Sequence, residues 1–186
     1  MVHRLVGHAI VSDDDRIADA EGAFPQALRN EADWAQFQSA LDAAAVTLLG
    51  RLSHEAAPNV RQRRRLVASR RVRGLEERAD AWWWDPGAMP LERVLGALVP
   101  EGGTVAVPGG QSVFDLVGAA RFDEFHLARA HGVQLPGGRG LFAACERGVA
   151  AADVLAGGGL VADPAALIDP AANVSLTIWR RSPPRR

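Results

Sequence analysis

The chain has 186 residues, 48% of them hydrophobic, and a formal net charge of -1; it can bury one good core but hardly two, and it carries no global charge that would draw it to nucleic acid or an anionic membrane. All 21 basic side chains other than histidine are arginine, which excludes a Walker A phosphate loop, a Schiff-base lysine and a lysine general base. The lone cysteine, Cys145, can form no intrachain disulfide, and no apolar run reaches the ~18 residues that span a bilayer, so a cytoplasmic protein without a membrane partner is expected.

Residues 4 to 12, ending in Ala9-Ile10-Val11-Ser12, read as a buried first strand, and Asp13-Asp14-Asp15 turn the chain out to solvent. From Asp14 to Gln26 the sequence is too irregular for helix or strand, and a loop of this length in a compact domain is often functional. A helix follows Asn30, whose side chain suits an N-cap, with Glu31 and Asp33 in the positive first turn. Trp34, Phe37, Leu41 and Ala44 recur at helical spacing and are expected to face the core. Val46 to Leu49 is a second strand, ending at Gly50-Arg51-Leu52-Ser53. Leu66 to Ala68 is a third, followed by the donors Ser69, Arg70 and Arg71. Ala81 to Trp84 is a fourth, with a helix from Leu91 to Val99 behind it. Its three consecutive tryptophans cannot share one side of a strand, so they must divide between the sheet's two faces or a surface.

Val105-Ala106-Val107 is the fifth strand. It passes through Pro108 into Gly109-Gly110 and then into Gln111-Ser112-Val113-Phe114, the first turn of a helix reaching about Ala120. Adjacent glycines let a backbone approach a ligand closely, and the free N–H groups of the following helix suit an anion, a phosphate in particular. Tight packing is the competing explanation. Glu124 to Ala128 alternates as a sixth strand. Pro136 to Phe142 is turn chemistry, and Gly148 to Leu155 and Val174 to Trp179 read as a closing pair of strands. Residues 1–181 are expected to form a single domain and 182–186 a disordered tail. Strands alternating with helices imply an α/β domain with a mostly parallel mixed sheet, helices on both faces and an antiparallel edge. In such sheets ligands bind at the C-terminal ends of the strands.

Taken in order, Ser12-x-Asp14-Asp15-Arg16-Ile17-Ala18, Leu48-Leu49-Gly50-Arg51-x-Ser53, Leu66-Val67-Ala68-Ser69-Arg70 and Val107-x-Gly109-Gly110-x-x-x-Phe114, leading to Phe122-Asp123-Glu124-Phe125-His126-Leu127, span residues 10 to 142. Together they resemble the dihydrofolate reductase superfamily, with the first segment nearer the reductase domain of riboflavin biosynthesis. The resemblance implies a dihydrofolate-reductase-like three-layer fold. It also implies NADPH as cofactor and hydride transfer to a small pyrimidine- or pterin-like heterocycle.

By that resemblance Gly50, Arg51 and Ser53 would meet the cofactor's pyrophosphate, and Ser69 and Arg70 its 2′-phosphate. Gly109, Gly110, Gln111 and Ser112 would sit at the pyrophosphate and nicotinamide, with the Gly-Gly bond cis. Asp33 takes the place of the family's acid, Asp14 lies by substrate or nicotinamide, and Phe37 and Pro108 face the substrate. Arg61 to Arg65 read as a solvated loop first, with a clamp by Arg63 or Arg64 on an acidic or phosphorylated substrate as the alternative. Gln26, Pro108, Phe114 and Ala128 depart from the dihydrofolate reductase pattern: Gln26, Phe114 and Ala128 set an inactive NADPH-binding protein of the same fold beside the riboflavin-type reductase, and Pro108 argues most against the further alternative, a true dihydrofolate reductase. The zinc-deaminase signatures His-x-Glu and Pro-Cys-x-x-Cys are missing. No metal site and no nucleic-acid partner are expected; Trp82 to Trp84 and the late strands are candidates for a homodimer interface.

Overall fold

In the computed structural model, which describes residues 2–181, the first strand β1 (His3–Val11) is followed by a short β2 (Arg16–Ala18) and, after a turn of 3-10 helix at Gln26–Leu28, by helix α1 (Glu31–Ala43). Then come β3 (Val46–Gly50), α2 (Arg51–Ala56), β4 (Arg65–Ala68), β5 (Leu75–Glu77), β6 (Trp82–Trp84) and α3 (Leu91–Leu98). The second half holds β7 (Gly103–Gly109), α4 (Gln111–Val117), β8 (Glu124–Ala130), β9 (Arg139–Gly140) and α5 (Ala151–Gly157), closing with β10 (Leu160–Ala162), β11 (Ala166–Asp169) and β12 (Val174–Arg181). The tail at 182–186 lies outside the described residues.

The main sheet runs β10-β12-β8-β1-β7-β3-β4-β6-β5, with β11 also on β12. Its centre, β8 to β6, is parallel throughout, and both edges are antiparallel. β1 is therefore central, and the chain leaves it on both sides: β7 inserts between β1 and β3, and β8 lies on the other flank. That reversal opens a crevice at the strand ends.

Alternation along the strands divides the apolar residues between two layers. One face carries Leu5, Val11, Val105 and Val107 under α3 and α4, with Phe114, Phe122, Phe125 and Phe142 in contact. Their ring centroids stand 5.1 to 6.3 Å apart, in tilted or edge-on arrangements that add about 0.5–1.5 kcal/mol per pair to simple burial. Phe125 lies across β1 at Gly7, where a Cβ would stand 2.2 Å from the ring. The other face buries Ile10, Leu28, Ala128, Ala130 and Val174. The tryptophans divide as alternation requires: Trp84 joins the α3 side and donates from Nε1 to the Met89 carbonyl at 2.8 Å, whereas Trp83 packs opposite with Leu49 and Val67.

Several expectations change. Gly148 to Leu155 is no strand: Ala151–Gly157 is helical, with Ala151 and Leu155 buried one turn apart, and the partners of β12 at that edge are the later β10 and β11. Alanine favours helix strongly, and the Ala151 amide is capped by the distant Asp15 carboxylate at 2.8 Å, a contact that no local reading reveals. The 14–26 loop contains β2, which pairs with β9. The helix after Gly110 stops at Val117, where Gly118 takes a positive φ of 77°. On α1 only Leu41 is buried; Trp34 is 60% exposed, because the helix stands off the sheet.

Candidate active site

β7, β3 and β4 lie side by side, with Leu49 opposite Gly109 and Gly50 opposite Ala68, so Gly109-Gly110, Gly50 and Ser69 form one row at adjacent strand ends. The Gly109–Gly110 peptide is cis. Gly109 has φ 86°, and a Cβ there would lie 2.4 Å from the Phe114 ring, so the position admits only glycine. Helix α4 starts at the next residue but one and α2 starts directly after Gly50. Their first-turn amides, including those of Gln111, Ser112, Arg51 and Ser53, have no i−4 carbonyl to meet. Gly50 approaches α4 closely: its Cβ would stand 4.0 Å from Ser112 Oγ and 3.3 Å from Val113.

The side chains around this row are donors. Arg51 is held by Glu55 one turn on, at 2.7 Å. Ser69 Oγ accepts from the Arg71 amide at 3.2 Å, and exposed Arg70 has no ion-pair partner among the described residues. Gln111 is used internally, its Nε2 donating to the Gly140 carbonyl and to Glu146 at 3.1 and 2.7 Å. Helix α2 is fixed from below by buried His54. An arginine only donates, so Arg65 gives its proton to His54 Nδ1 at 3.2 Å, which leaves Nε2–H for Asp80 at 2.7 Å.

Next to the row, between α1 and the sheet, lies a cavity of about 500 Å³, within the usual range for small-molecule sites. The sheet wall is His8, Ile10, Thr47, Leu49, Pro108 and His126. Helix α1 supplies Asp33, Trp34, Phe37, Gln38 and Leu41. The rim adds Phe24, Ser53, Asn59, Val60, Arg61 and Arg63. Asp33, Phe37, Pro108 and Ser53 are thus brought to one cavity, with Gly109-Gly110 immediately beyond Pro108. Asp14, Gly50, Arg51, Ser69, Arg70, Gly109, Gly110, Gln111 and Ser112 are not part of its lining.

The two candidate acids differ sharply. Asn30 caps α1 by accepting from the Asp33 amide at 3.0 Å, and Asp33 lines the cavity from the helix's first turn. Its carboxylate has no hydrogen-bond or ion-pair partner among the described residues, and burial pushes its pKa up to about 6. Asp14 is fully engaged: it accepts from Ser12 Oγ at 2.6 Å and from the Leu135 amide at 3.0 Å, with Arg16 Nε at 3.8 Å. Burial alone would raise its pKa, but these partners outweigh burial and hold the carboxyl below its usual range. Asp14 pins a loop, and Asp33 is the carboxyl that can carry a proton near neutrality.

Other expected residues fall elsewhere. Arg63 lines the cavity with its guanidinium tied to Asp42 and to Gln38 Oε1, each at 2.7 Å, while Arg64 donates to the Leu98 carbonyl at 3.0 Å and is absent from the lining. Of the departures from the dihydrofolate reductase pattern, Gln26, Phe114 and Ala128 are also absent from it, Phe114 and Ala128 being fully buried, and Pro108 lines it. His8, Thr47, Asn59 and His126 belong to the cavity without having been singled out from sequence. The signal for His8 was a polar residue alternating with Val6 and Ile10 in an otherwise apolar strand. Burial and then the neighbouring His126 lower its pKa to about 4, against a smaller pull upward from Glu124, so the ring is neutral at pH 7. No cluster able to hold a metal occurs among the described residues, and no helix of the structure is long and apolar enough to cross a membrane.

No family model and no curated protein matches the chain. Solved structures do match across nearly its whole length. A riboflavin biosynthesis protein from Shewanella sp. PV-4 aligns with a TM-score of 0.67 at 15% identity, covering 97% of this chain and 99% of that one. A diaminohydroxyphosphoribosylaminopyrimidine deaminase/5-amino-6-(5-phosphoribosylamino)uracil reductase from Thermotoga maritima gives 0.68 at 14% identity, over 97% of this chain and 57% of that one. Dihydrofolate reductase from Enterococcus faecalis, complexed with NADP(H) and RAB-propyl, gives 0.64 at 16% identity, over 97% of each chain. At such identities a likeness speaks to the backbone alone: the chain has the dihydrofolate reductase-like fold that these solved structures share.

Proposed function

We propose that this protein is an NADPH-dependent reductase of the riboflavin-pathway type, acting on a small pyrimidine- or pterin-like heterocycle. One observation carries the reading: a donor-rich row of strand ends at Gly50, Ser69 and Gly109-Gly110 adjoins, through Pro108, a closed-in cavity holding an unpartnered carboxyl of raised pKa. The donor set fits a dinucleotide phosphate. The row offers guanidinium groups, hydroxyls and first-turn amides, and Glu55 is already neutralised by Arg51.

NADPH, when bound, supplies a hydride. The chain's own residues do the rest. Arg51, Ser53 and the first turns of α2 and α4 hold the pyrophosphate, and Ser69 and Arg70 hold the 2′-phosphate. Phe37, Leu49 and Leu41 enclose the substrate and exclude water, which favours near-attack geometry. Asp33 donates the proton that must accompany the hydride, its pKa of about 6 placing it close to working pH. Gln26, Phe114 and Ala128 lie outside the cavity lining, whereas Pro108, the remaining departure, lines it, and Phe114 supports the cofactor row from below by packing under Gly109.

The test is a titration of NADPH and NADH followed by nucleotide fluorescence, then an assay of NADPH oxidation with pyrimidine and pterin substrates. Binding of NADPH in the micromolar range with turnover of one such heterocycle is expected. Silence of both nucleotides would remove the reading, and binding without oxidation of any substrate would leave a nucleotide-binding protein.

A further inference from the structure

His8 is the one histidine among the described residues with no hydrogen-bond partner. His3 meets the Val99 carbonyl, His54 lies between Asp80 and Arg65, His126 is held by Glu124, and His131 meets Ser175. His8 is also 7% exposed, and what remains accessible opens into the cavity. The fully buried unpaired side-chain nitrogens among the described residues are Arg16 Nε and Trp179 Nε1, so the His8 ring nitrogens reach the cavity's solvent, where a ligand can take their hydrogen bonds in place of water.

The ring is also held in place. β1 is locked between β7 and β8, with His8 directly opposite His126 in the register. Its ring stands 4.8 Å from the His126 ring and 6.2 Å, edge-on, from Phe37. His126 is in turn fixed through Nε2 by Glu124, which also binds Arg4 from β1 and Arg180 from β12. His8 thus sits at the inner end of a braced polar stack in the sheet wall, and Asp33 reaches the same cavity from the helix wall.

We propose that His8 is a substrate-recognition residue that reads a neutral polar edge, of the ring-carbonyl and ring N–H kind, on the heterocycle occupying the cavity. The class of ligand rests on the reductase reading above; the location rests on the cavity alone. A neutral imidazole carries one donor and one acceptor on diverging nitrogens, so it can meet either the carbonyl or the N–H of such an edge with one nitrogen. An anionic group would instead call for a protonated ring, which burial and the adjacent His126 oppose. Asp33 lines the same cavity, so a flat ring can make polar contacts to both the sheet and the helix wall.

The experiment uses the full chain labelled with ¹⁵N and uracil as the probe, with and without NADP⁺, read by two-bond nitrogen–proton spectra of the imidazoles. Uracil is expected to shift the His8 ring nitrogens and to leave those of His3, His54 and His131 in place. His8→Phe is expected to weaken uracil binding by about tenfold, His8→Gln to stay closer to wild type, and NADPH binding to be equal in all three. Uracil binding that is unchanged in His8→Phe, uracil binding that leaves the His8 nitrogens unmoved, or no uracil binding at millimolar concentration overturns the proposal. Should His8→Phe fail to fold, the wild-type spectra and His8→Gln still decide it. Loss of the nucleotide signal with the uracil response intact would remove the reductase reading and leave the role of His8 standing.

Discussion

The carboxylate of Asp15 meets Arg129 Nη2 at 2.5 Å, and its second oxygen accepts the Ala151 amide at 2.8 Å, so one buried aspartate ties β8 and the start of α5 to the loop after β1. Asp15 holds φ at 58°, a left-handed conformation that glycine adopts without cost and aspartate tolerates. Glycine would meet that backbone demand, but the aspartate side chain adds a helix cap and an ion pair.

Asp15→Gly should therefore destabilise the protein, although it relieves the backbone. Losing two charge-assisted bonds at an 8% exposed site outweighs the gain of about 1 kcal/mol from the backbone, for a net loss of about 2 kcal/mol. Asp15→Asn, which keeps the capping oxygen, should lose about half as much. Urea midpoints of the two variants check the order; a more stable glycine variant would show that the backbone term dominates.

Asp33 should cost stability at neutral pH. Its folded pKa of about 6 exceeds the ordinary aspartate value of 3.8, so the folded state binds more protons between these values and stability falls as pH rises through that window. Asp33→Asn removes the penalty. It should stabilise the protein above pH 6 by up to about 3 kcal/mol, at ~1.4 kcal/mol per pKa unit, and leave it little changed below pH 4. The same variant should slow the chemical step without weakening NADPH binding. Unfolding midpoints at pH 4 and pH 8, with single-turnover NADPH oxidation, test both statements.

His8 should tilt stability the other way. Its folded pKa of about 4 lies below the ordinary histidine value of 6.5, so its contribution is present above pH 6.5 and is lost as pH falls toward 4. Between about pH 4 and 6 the slopes from His8 and Asp33 oppose each other, and wild-type stability should change little there on their account. His8→Gln should steepen the decline with rising pH and Asp33→Asn should reverse it. Parallel pH profiles of the two variants would contradict this pairing.

Much of this site was legible from local sequence because it is built from local signals. Gly50-Arg51, Ser69-Arg70 and Gly109-Gly110 each follow a short, mostly apolar run, and at two of the three a glycine marks where the strand stops regardless of distant packing. Helix α1 was legible only by half. Trp34, Phe37 and Leu41 do share a stripe, but periodicity gives the direction of a face and not its distance from the sheet, so residues expected in the core line a cavity. Strands β2, β5 and β9 span three residues or fewer and have no period to detect. The helix at Ala151 depends on Asp15, 136 positions away. His8 needed the register with His126 to acquire meaning.

Gly109→Ala should be among the most damaging single changes at the strand-end row. The added methyl would meet the Phe114 ring at 2.4 Å, and Phe114 is itself wedged against Phe122, Phe125 and Phe142. The left-handed φ adds strain of about 1–2 kcal/mol. A loss of about 3 kcal/mol or more is expected, together with loss of NADPH binding. Thermal midpoints and nucleotide fluorescence measure the two effects, and a stable variant that still binds NADPH would show that the row is more compliant than its packing implies.

Arg70 gives the sharpest separation between the cofactor and everything else. It is exposed and lacks an ion-pair partner among the described residues, so truncating it removes no internal contact, and Arg70→Ala should change stability by less than about 0.5 kcal/mol. If Arg70 holds the 2′-phosphate, that truncation should weaken NADPH binding by about tenfold, near 1.4 kcal/mol, and leave NADH untouched because NADH has no such group. The NADPH penalty should also shrink at high salt, since an exposed guanidinium and a phosphate interact through screened charge. Arg51→Ala provides the contrast: the pyrophosphate is common to both nucleotides, so both affinities should fall. Equal losses for NADPH and NADH in Arg70→Ala would move Arg70 from the 2′-phosphate to the pyrophosphate, and no loss for either would place it outside the nucleotide site.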